Sequence, residues 1–253
     1  MLKLRGGGAI LVGTKRVGGV VAHRLAREGV NLAIVYRSSR QEAERLEGEV
    51  SGLTERTALI DGDLSDEDDV KRIVRTARDS LGDLSFVVNL AAGFPRNPFE
   101  TLDGAAWDAS MSFAKGNYLL NVHAARVMMS NDGPTRGHIV QFSDWAAWET
   151  PYKDYLPYLT AKAAIDFMTR SFAVELADSG ILVNAIAPGP TMRPPEICES
   201  SWQRDVLDRT PLKRESSPDD MAEIIVSLLS SESITGQVIR VDSGRHLAGP
   251  GVE

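Results

Sequence analysis

Short apolar runs and amphipathic runs alternate along this chain. Ala9-Ile10-Leu11-Val12 is apolar at four successive positions, as in a strand buried on both faces. Gly13-Thr14-Lys15-Arg16-Val17-Gly18-Gly19 follows at once. A helical run over 20–28, which Gly29 can end, leads to a second apolar strand over 31–36. The same pattern predicts strands over 57–60, 86–90, 139–142, 181–186 and 238–241. Ser65-Asp66-Glu67-Asp68 reads as a helix N-cap with an acidic first turn, opening a helix that runs to Leu81. Further helices are predicted over 102–130, where Met111, Leu119, Val122 and Met128 recur, over 158–177 and over 218–229. Strands alternating with helices in this way predict an α/β fold: a doubly wound, seven-stranded parallel sheet of the Rossmann type, in a single domain over 1–253. No repeat, low-complexity tract or linker divides it. The stretch 188–217, rich in proline and charge, is the one long irregular segment. Loops of that length are usually lids or binding loops, so it is the expected substrate loop.

Composition narrows the function more than the fold. With 43% apolar and 25% charged residues the chain has the make-up of a soluble globular protein. A net charge of -7 argues against a nucleic-acid partner, which would need a basic face. The single cysteine, Cys198, excludes an internal disulfide and fits a reducing compartment; with no histidine near it in sequence it reads as a bystander thiol. The apolar run 9–12 is too short for a signal-peptide core or a membrane span. A cytoplasmic protein with a small-molecule substrate, no membrane partner and no metal is expected.

Two stretches carry candidate chemistry. The first is the strand, glycine-rich turn, helix and strand within the first 36 residues, the βαβ unit of dinucleotide binding. There the backbone must turn tightly and approach a pyrophosphate closely, and the helix N-terminus offers free N–H groups to its charge. A plain tight turn is the alternative. Arg37-Ser38-Ser39-Arg40 follow the second strand, where an acidic residue would bind the ribose 2′-hydroxyl of NAD; arginine and hydroxyls suit the 2′-phosphate of NADP instead. Arg16 could reach the same phosphate. The alternative is that these arginines are solvated surface residues. The second stretch is Tyr155-Leu156-Pro157-Tyr158-Leu159-Thr160-Ala161-Lys162. Pro157 suits a first helical turn, and Tyr158 and Lys162, four apart, share a helix face. An ammonium close to a phenol favours the phenolate and brings a pKa of about 10 toward the working range. Taken alone, such a pair is also found in ordinary helices.

Over nearly its full length the chain resembles the short-chain dehydrogenase/reductase family. The matching pieces are the 13–19 turn, Asp63-Leu64, Asn89-Leu90-Ala91-Ala92, Tyr158-x-x-x-Lys162, Asn184-Ala185-Ile186-Ala187-Pro188-Gly189 and Ile234-Thr235-Gly236 with Val241-Asp242. The resemblance implies a nicotinamide cofactor held by Gly13, Arg16, Val17, Gly18, Arg37, Ser38, Asp63, Leu64, Asn89 and the Ala91 backbone, with Asp63 on the adenine. It implies that Pro188, Gly189 and Thr191 meet the carboxamide, and that Lys162 bonds the nicotinamide ribose as well as tuning Tyr158. It further implies a homotetramer, joined through the helices flanking the fifth strand and through the last strand.

Within the family the chain is most similar to the pteridine-reductase-like branch, through Lys15-Arg16-Val17-Gly18, Tyr36-Arg37-Ser38 and Phe142-Ser143-Asp144-Trp145. Most members place a serine where Asp144 falls; pteridine reductases place an aspartate there. Ser143 lies one position early and in a strand points to the opposite face. Phe94 matches an aromatic that stacks on a flat pterin ring; a core phenylalanine is the other reading. The chain also departs from the family. The 13–18 turn is one residue short and the 144–158 segment one residue long. The catalytic asparagine of the long helix has no clear counterpart, since Ala114 falls there on an ungapped reading and Asn117 only after a shift. Three functions follow: an NADPH-dependent reductase of a carbonyl or C=N bond, with Tyr158 as proton donor and Asp144 orienting a nitrogen heterocycle; a 3-oxoacyl-thioester reductase; or a cofactor-binding homologue without catalysis.

Overall fold

In a computed structural model the described residues are 2–91, 93–195 and 197–248, so Ala92 of the Asn89 motif and one position of the 188–217 segment lie outside the described residues. The predicted strands form β1 (Gly8–Val12), β2 (Asn31–Tyr36), β3 (Thr57–Asp61), β4 (Phe86–Asn89), β5 (Gly137–Phe142), β6 (Ile181–Pro188) and β7 (Val238–Val241). All pair in parallel, in the order β3-β2-β1-β4-β5-β6-β7. The helices are α1 (Val17–Arg27), α2 (Arg40–Val50), α3 (Glu67–Leu81), α4 (Gly104–Met128), α5 (Leu156–Glu175), α6 (Glu199–Asp205) and α7 (Pro218–Leu229).

The central strands are largely apolar because both faces of the sheet are covered there. In β1, Ala9 and Leu11 pack with Leu25 of α1, Leu46 of α2 and Ile225 of α7. Ile10 and Val12 point the other way, to Ile73 of α3, Leu120 of α4 and Ala173 of α5. Each such Leu or Ile, fully buried, contributes about 1.5–3 kcal/mol relative to exposure. Helix ends follow their local signals. Asp66 caps α3, its carboxylate accepting from the Asp68 and Asp69 amides, and Gly82 closes the helix in the left-handed region at φ 87°. Pro157 lies in the first turn of α5, where its missing N–H leaves no gap. The structure also shows elements that the pattern did not predict. The polar α2 buries only Ala43, Leu46 and Val50, too few to stand out in the pattern. The 188–217 segment is not wholly irregular: it holds α6 and a 3-10 turn at Leu207–Arg209. Among the described residues no helix is long and apolar enough to cross a membrane.

One polar seam crosses this apolar core. Asn89 of β4 and Gln141 of β5 stand opposite each other in the sheet. Asn117 and Asn121, one turn apart on α4, meet them: the Asn89 Nδ2 donates to Asn117 Oδ1 at 3.1 Å, and Asn121 Nδ2 donates to Gln141 Oε1 at 2.9 Å. Gln141 Nε2 donates in turn to the Thr169 hydroxyl of α5 at 3.0 Å.

Candidate active site

Because β1 lies between β2 and β4, the connections leaving its two sides diverge at the carboxyl end of the sheet and open a crevice there. A cavity of about 850 Å³ fills that crevice; the cofactor, substrate and catalytic residues assigned by the resemblance line it, while Arg40 and Ala114 do not. Its size lies within the range of small-molecule sites.

At one end stands the glycine turn. Gly13 has φ 97°, open to glycine at no steric cost, and a Cβ at Gly18 would stand 2.0 Å from the Gly13 carbonyl oxygen. The turn closes only with glycine at that place. Arg16, at φ 55° and ψ -114°, sits in a region that non-glycine residues rarely enter. Its guanidinium donates to the Met192 carbonyl, so it reaches across to the 188–217 segment. Val17 and Gly18 begin α1 beneath it. Past β2, Arg37 Nη1 lies 3.4 Å from Asp63 Oδ2, with Ser38 beside them on the cavity wall. Asp63 Oδ1 accepts from the Ser65 amide and hydroxyl at 2.9 and 2.8 Å; these bonds, the amide first, hold its carboxyl below the ordinary range. Leu64 packs against α4 at Gly116, where a Cβ would touch it. Asn89 Oδ1 accepts from the Ala91 amide at 3.1 Å, and Thr191 donates to the Gly189 carbonyl at 2.9 Å just past Pro188.

At the other end stands the dyad. The Tyr158 hydroxyl donates to Asp144 Oδ2 at 2.8 Å, and Asp144 Oδ1 accepts from the Ala146 amide at 2.9 Å. Lys162 donates to the Phe142 carbonyl at 2.7 Å, and its Nζ is 5.8 Å from the centre of the Tyr158 ring. Burial governs all three. It raises the Asp144 carboxyl, lowers Lys162 to about 8, and, together with the facing Asp144 carboxyl, pushes the Tyr158 phenol well above its ordinary value. This corrects the expectation that Lys162 brings Tyr158 down: in this arrangement desolvation outweighs the ammonium, and the phenol keeps its proton. Ser143 turns away from the Tyr158 hydroxyl, its own hydroxyl donating to the Lys162 carbonyl at 3.4 Å, as strand alternation predicts.

Rings wall this end. Phe94 is not a core residue: it is 57% exposed, stacks on Tyr155 at 4.3 Å and meets Tyr158 edge-on at 5.1 Å. Tyr152 packs against Tyr155 at 5.1 Å and Trp145 at 5.9 Å, and the Arg245 guanidinium lies 4.9 Å over Trp145. Trp145, Tyr152, Tyr155 and Arg245 all line the cavity, and none was singled out as a site residue from sequence. The visible signal was aromatic density between Asp144 and Tyr158. Asn117, not Ala114, brings an amide to the cavity; Ala114 packs with Ala161 and Ile165. Cys198, exposed, is not part of the lining.

The donor set fits a nicotinamide dinucleotide: a glycine cradle and arginines at one end, a protonated phenol beside a buried ammonium at the other. Comparison with known proteins agrees. A family model described as Enoyl-(Acyl carrier protein) reductase matches residues 14–246. The uncharacterized oxidoreductase YhdF of Bacillus subtilis is 31% identical over 254 residues, covering 97% of this chain and 86% of its own. The 3-oxoacyl-[acyl-carrier-protein] reductase FabG of Staphylococcus aureus is 28% identical, covering 94% and 98%. The crystal structure of FolM alternative dihydrofolate reductase 1 from Brucella suis, in complex with NADP, superposes with a TM-score of 0.87 at 28% identity, covering 100% of this chain and 98% of that one. The chain belongs to the short-chain dehydrogenase/reductase family and is a nicotinamide-dependent oxidoreductase of that family.

Proposed function

We propose that this protein is an NADPH-dependent reductase of a C=O or C=N bond in a flat, nitrogen-containing heterocycle of the pterin kind. One observation carries the reading: the Tyr158 hydroxyl is bonded to a half-buried carboxyl, Asp144, inside a wall of aromatic rings. An ionised carboxylate cannot donate to a carbonyl, but it accepts from a ring amino group or a protonated ring nitrogen. Phe94, Tyr155 and Tyr152 offer ring faces to a planar substrate. The likeness to a FolM dihydrofolate reductase supports the same class. Arg16, Arg37 and Ser38 at the far end support NADP(H) as the dinucleotide.

The bound dinucleotide supplies the hydride. Tyr158, whose phenol holds its proton at neutral pH, gives that proton to the substrate heteroatom. Lys162, cationic below about 8, stabilises the phenolate left behind, and it is the residue that would bond the nicotinamide ribose. Asp144 orients the substrate and, when protonated, returns a proton to Tyr158. With a dinucleotide bound, Asp63 would hold the adenine, Asn89 and Ala91 would flank the cofactor, and Pro188, Gly189 and Thr191 would meet the carboxamide. The 188–217 segment closes over the substrate. The protein works in the cytoplasm as a homotetramer; exposed Tyr118 on α4 and Phe167 and Val174 on α5 support those helices as an interface.

The likeness to a 3-oxoacyl-[acyl-carrier-protein] reductase favours a second reading, reduction of 3-oxoacyl thioesters. Against it, an ionised Asp144 would repel the alkoxide that develops there. A panel of pterins, quinones and 3-oxoacyl thioesters, followed by NADPH absorbance, separates the two. A kcat/KM at least about tenfold higher on a pterin is expected; turnover of acetoacetyl thioesters with none of pterins would sink the first reading.

A further inference from the structure

We infer that Asp166 is a positioning residue of this site: from the buried face of α5 it holds Lys162 in its cationic form, and only the consequence for turnover rests on the reductase reading above. Tyr158, Lys162 and Asp166 follow one another at intervals of four on α5, with Arg170 next in the row. Asp166 is 3% exposed, and one of its carboxyl oxygens, Oδ1, has no hydrogen-bond partner among the described residues. An unpaired carboxyl oxygen in a core is costly, and nothing about packing alone asks for one there. The Ser143 hydroxyl donates to the Lys162 carbonyl and lowers the Asp166 carboxyl nearby.

The need for a second carboxyl follows from the state of Lys162. Its ammonium is buried and, among the described residues, has one hydrogen bond, to the Phe142 carbonyl. Desolvation lowers its pKa, and two carboxyls, Asp144 and Asp166, work against that shift. Asp144 is bonded to the Tyr158 hydroxyl and faces the substrate, so its charge is engaged in the reaction cycle. Asp166 lies away from the reacting atoms and can hold a steady charge. Burial raises Asp166 to about 6, eased by Ser143, Arg170 and Lys162, whereas Lys162 titrates at about 8. Between those values both are ionised. The remaining neighbours do not alter this. Arg170 faces Asp166 from the next turn, its guanidinium 4.5 Å over Trp148 and 5.7 Å from Phe167. The packed helix α4 brings Met111 and Ala114 to this face, and its ionisable Asp108 and Lys115 are exposed. From the turn just past β5 come the Ser143 hydroxyl, which lowers Asp166, and the Asp144 carboxyl, the smallest of the influences on it, which raises it.

Asp166→Asn keeps the shape and removes the charge. Lys162 then loses a favourable neighbour, so its folded pKa falls further and its charge disappears at lower pH. Lysine-Cε-labelled protein, titrated by NMR with Lys162→Met for assignment, reads this directly. The Lys162 signal is expected to titrate about one pH unit lower in Asp166→Asn. The alkaline limb of kcat/KM should move down by the same amount. Asp166→Ser, which also removes the charge, should move both in the same direction by a similar amount, and it serves if Asp166→Asn does not fold. An unchanged Lys162 titration in the folded variant overturns the inference, as does a shifted titration with an unmoved limb. If the wild type turns over no substrate, the reductase reading fails by itself. The pH dependence of NADPH affinity then replaces the rate, and a dependence identical in the wild type and Asp166→Asn overturns the inference.

Discussion

At the glycine-turn end of the cavity the charges stand in water. Arg37 and Asp63 face each other at 3.4 Å with most of the arginine exposed. At the dyad end Tyr158 and Lys162 are buried and Asp144 is half-buried, and each is shifted in the direction that disfavours its charged form. Solvated charges are screened and contribute modest, salt-dependent increments to binding. Buried groups lose that screening, so a proton placed among them decides reactivity. One end can therefore select a ligand at little cost to the fold, while the other depends on the packing around it.

The largest break in this contrast is Tyr158→Phe, which removes the proton and little else. Turnover should fall about 10²–10⁴-fold while NADPH affinity, measured by fluorescence titration, stays nearly unchanged. Near-normal activity on the true substrate would remove Tyr158 from the reaction.

Next in size is Asp144→Ser. Losing a charge-assisted contact of about 1.5–3 kcal/mol should lower kcat/KM on pterins some ten- to hundredfold and raise activity on simple ketones. Paired assays with Ser143→Ala sharpen the assignment. A fully active Asp144→Ser beside an inactive Ser143→Ala would overturn both the assignment and the heterocycle built on it.

The smallest effect belongs to the solvated end. Arg37→Ala should weaken NADPH by roughly tenfold, the low end for a charge-assisted contact because the side chain is exposed, and should leave NADH almost unaffected. The loss should shrink as salt is added. Equal affinities for both dinucleotides in the wild type would show that Arg37 reads nothing.

What could be read from the chain divides along the same line. The glycine turn and the arginines after β2 are local features, fixed by steric demands within a few residues, and they emerged where the pattern put them. So did the Tyr158–Lys162 spacing and the opposed faces of Ser143 and Asp144, which follow from helical and strand periodicity. The protonation of Tyr158 did not, because desolvation depends on residues such as Tyr152 and Trp145 whose packing is tertiary. Phe94 could be weighed only as core or stacking residue; its exposure and its contact with Tyr155 exist only after the 145–155 segment folds beside it. Asn117 was legible in part: with Asn121 it makes a polar pair one turn apart on a largely apolar helix.

That pair has a consequence for how the chain finds its own alignment. Asn89, Gln141, Asn117 and Asn121 mesh like the teeth of a key between the centre of the sheet and α4. Sliding α4 by one helical turn would still bury apolar surface, and an all-apolar contact would tolerate it. With these amides the slipped arrangement strands buried donors and acceptors at about 1–3 kcal/mol each. Polar groups that add little to net stability thus exclude a near-miss topology, and they do so at the helix that floors the cofactor cleft.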